Sequence, residues 1–431
     1  MTRRILLILA VAFLPAASVH ADVITQWNTV LLDMIKADNL NNQLGGRATA
    51  MMHVAMFDAV NAVSGQYTSY HASPAVTGTP SMEAAAASAA YGVLTQLYPA
   101  KTALFDATYN AQLAGIADGQ AKTDGISLGA SVAGSIIALR AADGASTAGS
   151  APYFEGSLPG QWRRLDTRPA QMPGWGSVTP WAMTSGVQFR QDGPPNLTSP
   201  EYADAYNQTK DIGSKTSTVR TAAQSETARF WVAGIPTMWN QVARQATVDN
   251  SLSLVDSARL FALLNIGIAD AGISGWDMKY YYNFWRPTTA IRLGDSDGND
   301  ATVGDAAWES YLAVPPFPEY VSGHSNTCAT AATILASVLG DDYTFTMLSD
   351  ADPTLSPRTF DSFMAAAQEA GMSRIYAGLH FGFSNDEGLL SGQQLGGYVA
   401  ENYLTPIPEP ASMLLLLAGA AAALRRRRTG R

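Results

Sequence analysis

Cysteine is almost absent. The single one, Cys328, cannot close an internal disulfide, and its place inside a predicted buried helix reads as packing rather than redox chemistry. Charge is scarce as well. Only 15% of the 431 residues are Asp, Glu, Lys or Arg, the net charge is −9, and no basic run occurs before the last residues. That balance excludes nucleic acid as a partner. Strand-like alternation is rare, which makes an all-α fold the default. The chain is rich enough in hydrophobic residues (47% overall) for a large core, built as one domain or two fused halves.

Met1 to Ala21 reads as a secretory signal: Arg3 and Arg4, the apolar stretch Ile5 to Leu14, then Val19-His20-Ala21 as a small-residue cleavage pattern. The mature chain is expected to begin at Asp22, outside the cytoplasm. At the other end Pro408-Glu409-Pro410 precedes the apolar Ala411 to Leu424 and then Arg425 to Arg428. Four arginines beside an apolar tail stay cytoplasmic and leave the rest of the chain outside. The layout resembles the Pro-Glu-Pro (PEP-CTERM type) sorting signal of Gram-negative bacteria. That implies processing by an exosortase and export to the periplasm, outer surface or extracellular matrix. A simple tail anchor in the inner membrane is the alternative.

Apolar residues at three-and-four spacing predict helices over Gln26 to Ala37, Gly46 to Val63, Ser81 to Tyr98, Lys101 to Ile116 and Gln120 to Ala142. His53 and Asp58 fall on the second and read as interior groups satisfying their neighbours. From Gly144 to Asn196 the periodicity disappears and Gly, Pro and Trp dominate. Trp162, Trp175 and Trp181 argue for an ordered segment that wraps the helices and borders a site entrance. Helices resume over Ser199 to Ile212, Ala222 to Val232, Pro236 to Asp249 and the long, central Asp256 to Tyr282. Further helices are expected over Pro357 to Ile375 and from Asn385 through Tyr403. Asp295-Ser-Asp297-Gly-Asn299-Asp300 hints at a calcium loop, but Ala306 stands where the closing glutamate belongs, so it reads as a polar turn. The resulting division is 1–21 signal, 22–197 first helical half with the crossing segment, 198–405 second half, and 406–431 sorting tail.

Three stretches carry the chemistry. Phe317-Pro-Glu-Tyr-Val-Ser322-Gly323-His324 leads into an apolar helix whose free amides and dipole suit an oxyanion. Lys279 and Arg286 are seven apart, which places both cations on one helical face before Pro287. Ser373-Arg374 and His380 lie on nearby turns downstream. Two Arg, one Lys and two His in an acidic chain suit a multiply charged oxyanion.

Lys-x6-Arg-Pro, Ser-Gly-His and Ser-Arg-x5-His, in that order, resemble the superfamily of type 2 phosphatidic acid phosphatases and vanadium-dependent haloperoxidases. Asn283 to Thr288, Pro315 to Tyr320 and Met51 to Asn61 are closer to its bacterial haloperoxidase-like branch. The resemblance implies two helical bundles with the anion site in the C-terminal one. It implies that Lys279, Arg286 and Arg374 neutralise the oxygens of vanadate or phosphate, with Ser322 and the Gly323 amide adding hydrogen bonds. His380 is then the vanadate ligand or phosphatase nucleophile, and His324 the acid–base group. Trp276 and Phe317 resemble aromatic positions beside the halide approach of fungal chloroperoxidases, with plain packing as the alternative.

Two positions depart from the pattern. Val321 replaces the usual proline before Ser-Gly-His. Ser384 stands where the family has an acid four residues after the second histidine, leaving Ser384 or Asp386 to orient that ring. Three readings are open. The first is a secreted haloperoxidase using hydrogen peroxide and halide. The second is an acid phosphatase acting on small phosphoesters, and the third a non-catalytic oxyanion-binding envelope protein. No apolar spans surround the motifs, which disfavours the integral-membrane lipid phosphatases.

Overall fold

The computed structural model describes residues 22–232 and 234–408. The expected signal segment and the apolar part of the tail lie outside the described residues. The first helices are α1 (Val23–Ala37), α2 (Asn42–Ser64), α3 (Met82–Leu97), α4 (Thr102–Ala114) and α5 (Gln120–Arg140). After the crossing segment come α6 (Pro200–Ile212), α7 (Ala222–Phe230), α8 (Ile235–Asp249), α9 (Leu254–Tyr282) and α10 (Pro287–Arg292). The last three are α11 (Gly323–Leu339), α12 (Phe363–Tyr376) and α13 (Gly382–Asn402). Many starts are written in the sequence as side-chain caps: Asp22, Asn41, Ser81, Ser199, Ser253 and Ser362 each accept an amide of the first turn.

Among the described residues the fold is helical apart from one small hairpin, β1 (Phe345–Met347) antiparallel to β2 (Arg358–Phe360), with Phe345 opposite Phe360. The helix expected from Pro357 therefore begins only at Phe363. Thr359 and Phe360 favour a pleated pairing, and Ser362 caps the start of α12.

The helices form two bundles. In the first, α2, α3 and α5 pack together; in the second, α11 lies against α9, α12 and α13; α2 joins them by packing on α9. Two of these contacts depend on side chains that are barely there. A Cβ on Gly129 of α5 would meet the Ala85 carbonyl of α3 at 2.2 Å. A Cβ on Gly388, Gly392 or Gly396, one per turn of α13, would meet the carbonyl of Ser322, Asn326 or Thr330 at 2.9, 2.3 or 2.8 Å. Any larger residue would push α11, and with it the Ser322-Gly323-His324 turn, out of place.

The crossing segment holds only two 3-10 turns, Ala148–Ser150 and Trp175–Ser177, yet Trp162, Trp175 and Trp181 are all buried. It is fixed by hydrogen bonds to the second bundle. Asp270 of α9 accepts the amides of Trp181, Ala182 and Met183 at 2.7–2.9 Å. Asp58 of α2 does the same for Tyr70, His71 and Ala72, so its interior structural reading holds. Asp295 and Asp297 are occupied by Gly304, Asn299 and Thr302 within their own turn. No described group of three or more His, Cys, Asp or Glu is placed to hold a metal ion. No described helix is long and apolar enough to cross a membrane.

Candidate functional site

Lys279 is in the last turn of α9, fully buried. Its Nζ donates to the carbonyls of Val321 (2.5 Å), Glu319 (3.0 Å) and Pro318 (3.4 Å), so the loop before α11 is folded around the ammonium. Arg286 is not on the same helix, contrary to the two-turn spacing argument. Asn283 takes a left-handed conformation (φ 48°) and ends α9, and Arg286 is extended, capping α10 with Pro287 at its first position. The guanidinium reaches the site from this loop. Nε donates to Phe317 O and Nη1 to Leu379 O, both at 2.9 Å, and Nη1 lies 3.2 Å from His380 Nε2. Nη2 has no partner among the described residues.

Ser322 is the N-cap of α11, its Oγ accepting the Ser325 amide at 3.3 Å. Gly323 and His324 open the helix. Space for a Cβ on Gly323 is bounded by Trp276 Cζ3 (3.7 Å) and Lys279 Cε (3.8 Å), so this glycine lies against the Lys279 side chain. His324 Nε2 lies 2.9 Å from the Trp231 carbonyl oxygen. A carbonyl only accepts, so Nε2 carries the proton and Nδ1 keeps its lone pair. Trp231 is a partner that sequence reasoning missed. It is pinned through Nε1 to Glu369, and its carbonyl also takes Arg374 Nη1 at 3.5 Å.

Arg374 is in the last turn of α12, with Nε unpartnered among the described residues. His380 is not on that helix, as the nearby-turn reading supposed. Gly378 (φ +74°) turns the chain out of α12, and His380 lies just before α13. Its Nδ1 is 2.7 Å from Glu319 Oε1, which also accepts the Phe381 amide at 3.1 Å. Ser384 is farther, with Oγ 3.5 Å from Nδ1, and Asp386 is exposed and bonded to Asn385. Glu319 is the acid that sequence reasoning overlooked. The family spacing draws attention to position 384, while Glu319 is in view inside the Phe-Pro-Glu-Tyr signature.

Lys279, Arg286, Arg374 and Glu319 are 0%, 1%, 7% and 0% exposed. Three basic side chains thus face one acid in a desolvated site. Burial first, then the neighbouring cations, hold Lys279 well below the usual lysine range, while Glu319 opposes the shift. Burial lowers Arg286 to about 9 and Arg374 to about 10. It raises Glu319 to about 7 against the pull of Arg286 and Lys279. His324 and His380 are held well below their ordinary value by burial and by the surrounding cations, so both rings are neutral.

A cavity of about 220 Å³ is lined by Arg374, His380, His324, Gly323, Trp276 and Phe317 among others; Lys279, Arg286 and Ser322 stand behind this lining. The rings of Trp276 and Phe317 are 5.0 Å apart, and Lys279 Nζ is 5.2 Å from the Phe317 centroid. Asn42 and Gln43 of α2 complete the wall. Outside it an open vestibule of about 600 Å³ shares Asn42, Val232, Pro236 and His324 with the inner cavity and includes Gln171 of the crossing segment. The five cationic and imidazole side chains thus meet at one place, with unpartnered guanidinium N–H groups and a helix start beside them. That donor set fits a tetrahedral dianion of the size of phosphate or vanadate.

Residues 259–408 match the family model of the VCPO second helical-bundle domain, and residues 406–428 match the PEP-CTERM protein-sorting motif. A vanadium chloroperoxidase of Curvularia inaequalis is 29% identical over 196 residues, 38% of this chain and 31% of that protein. The chain thus spans about a third of the length of the curated relative it matches. Among solved structures, a bacterial vanadium-dependent iodoperoxidase superposes with a TM-score of 0.77 at 24% identity, covering 90% of this chain and 97% of that one. A holo-type bacterial vanadium-dependent chloroperoxidase gives 0.68 at 16% identity, covering 84% and 91%.

Proposed function

We propose, for a chain that is vanadium haloperoxidase-like and carries a PEP-CTERM sorting motif, that it is an exported enzyme binding vanadate and oxidising halide with hydrogen peroxide. The observation that carries this reading is the buried excess of basic over acidic side chains, Lys279, Arg286 and Arg374 against Glu319, around His380. A dianion offsets that excess, and charge-assisted hydrogen bonds contribute about 1.5–3 kcal/mol each to holding it.

The unpartnered Nη2 of Arg286 and Nε of Arg374 would hold the vanadate oxygens, helped by the Gly323 amide, while Lys279, whose three N–H groups go to carbonyls, would act through its charge. Ser322 Oγ accepts the Ser325 amide and lies 2.8 Å from Ser325 Oγ, whose own O–H goes to Asn385 Oδ1, so the Ser322 hydroxyl would reach the anion only by leaving Ser325. His380 Nε2 would meet the central atom. When bound, vanadate supplies Lewis-acid activation of peroxide without changing its oxidation state. His324 Nδ1 takes the proton that peroxide gives up, a role suited to a neutral imidazole. Lys279, whose side chain lies beside Gly323, would add positive charge next to the bound anion. Trp276 and Phe317 offer the halide an apolar approach in which it sheds water. The sorting motif adds exosortase processing and delivery to the exterior of a Gram-negative cell.

The test is bromide and iodide oxidation by purified protein with and without orthovanadate. Halide oxidation that requires both vanadate and peroxide and disappears in His380→Ala is expected. Hydrolysis of p-nitrophenyl phosphate, inhibited by vanadate, would instead assign a phosphatase. Tight vanadate binding with neither activity would assign a binding protein.

A further inference from the structure

His380 has two polar neighbours of opposite character. Glu319 Oε1 lies 2.7 Å from Nδ1, and Arg286 Nη1 lies 3.2 Å from Nε2. A carboxylate accepts and a guanidinium only donates, so one tautomer satisfies both: the proton on Nδ1 and the lone pair on Nε2. Ser384 cannot enforce this. Its hydroxyl stands 3.5 Å from Nδ1, at the limit of a hydrogen bond, and a hydroxyl can either donate or accept. We propose that Glu319 is the positioning residue of His380. The carboxylate that fixes the ring sits on the loop entering α11 rather than on α13, where the sequence pattern placed it.

Contacts around Glu319 give it the rigidity this role needs. Oε1 also accepts the amide of Phe381, the residue after His380, at 3.1 Å. The Glu319 amide donates to Phe284 O at 2.9 Å, and its carbonyl accepts Lys279 Nζ at 3.0 Å. One residue thus ties the histidine through its side chain and the lysine through its backbone. A side-chain substitution removes only the first tie. Because Glu319 is three residues before Ser322, the arrangement also sets the position of His380 relative to the Ser-Gly-His turn.

The inference rests on the reading that His380 meets an oxyanion, so its test needs a readout without one. Nitrogen-15 NMR of the full, ligand-free protein is expected to show His380 protonated at Nδ1 and bare at Nε2. A ring protonated at Nε2 would overturn the proposal with no variant made. In Glu319→Ala the tautomers are expected to mix, and orthovanadate affinity to fall 10- to 100-fold, the usual effect of losing such a partner. Adding Ser384→Asp to Glu319→Ala supplies a carboxylate from α13 and is expected to restore both. In the wild-type background the same change crowds a second carboxylate against Glu319 and is expected to weaken binding. Unchanged tautomer and affinity in Glu319→Ala, or a loss that Ser384→Asp does not repair, would reduce Glu319 to packing. A wild-type protein with the expected tautomer that binds no orthovanadate would count against the proposed function and leave the positioning role standing.

Discussion

His53 is fully buried, and Nε2 lies 2.9 Å from Asn28 Nδ2. Arg244 donates to Asn28 Oδ1, so the amide must turn its N–H groups toward His53 and toward Asn240 Oδ1. A proton on Nε2 would therefore face a donor. Burial, aided by Arg244, lowers the pKa of His53 to about 3, against about 6.5 in the unfolded chain. The folded value is depressed, so the stability contribution is complete above pH 6.5. It is lost as pH falls toward 3, at roughly 1.4 kcal/mol per pH unit. His53→Gln keeps an acceptor for Asn28 and removes the titration. Denaturant melts between pH 6 and 4 are expected to show the wild type losing more stability than the variant by about that slope. His324 and His380 titrate in both proteins and cancel in the difference. The interior reading of His53 was available from the sequence because it stands in an apolar helical pattern. The basic and imidazole side chains that meet at the cavity were also identifiable, from residue type and motif order, but their partners Glu319 and Trp231 were not. The geometry of Arg286 was not, because Asn283 ends the helix by adopting a backbone conformation that its neighbours do not announce.

Helices were legible where periodicity and a capping side chain coincide, as at Ser81 and Ser199. The β1–β2 hairpin was not, since three-residue strands leave no alternation to read and Phe345 finds Phe360 only in the fold. The crossing segment is the extreme case. It has aromatic residues and turns but no period, and the contacts that order it come from other elements. Gln171 O accepts Trp276 Nε1 and Tyr280 OH, and Asp270 gathers three consecutive amides. Burial pushes the Asp270 carboxyl up to about 6, so those amides offset only part of its desolvation. Asp270→Ala leaves three buried donors without an acceptor, at about 1–3 kcal/mol each. A stability loss of at least about 3 kcal/mol is expected. Hydrogen exchange of the 181–183 amides should accelerate well beyond the global effect. Uniform acceleration over the whole chain would show that this anchor is not local.

At the scale of the molecule, the two halves expected from the sequence share one site. The cations and both histidines come from the second bundle, while Asn42 and Gln43 of α2 and Gln171 of the crossing segment complete its cavity and vestibule. No motif marks these wall residues, because an amide that shapes a cavity needs no particular neighbour in sequence. The halves are also closed on each other by backbone. Thr68 N donates to Thr405 O and Ile407 N to Gln66 O, so the chain where the sorting tail begins is paired with the loop after α2. Buried positions of α9 such as Leu260, Phe261, Leu264 and Ile268 belong to a core cluster that also contains α1 and α2. Residues 198–408 expressed alone would expose that face to water, at about 25 cal/mol for each Å² uncovered. They would also lose one wall of the anion cavity. The fragment is expected to aggregate or melt far below the whole chain, and to bind orthovanadate at least tenfold more weakly even where it stays soluble. Co-expression with residues 22–197 should restore both. A fragment that binds like the full protein would show that α2 and the crossing segment merely decorate a self-sufficient second bundle.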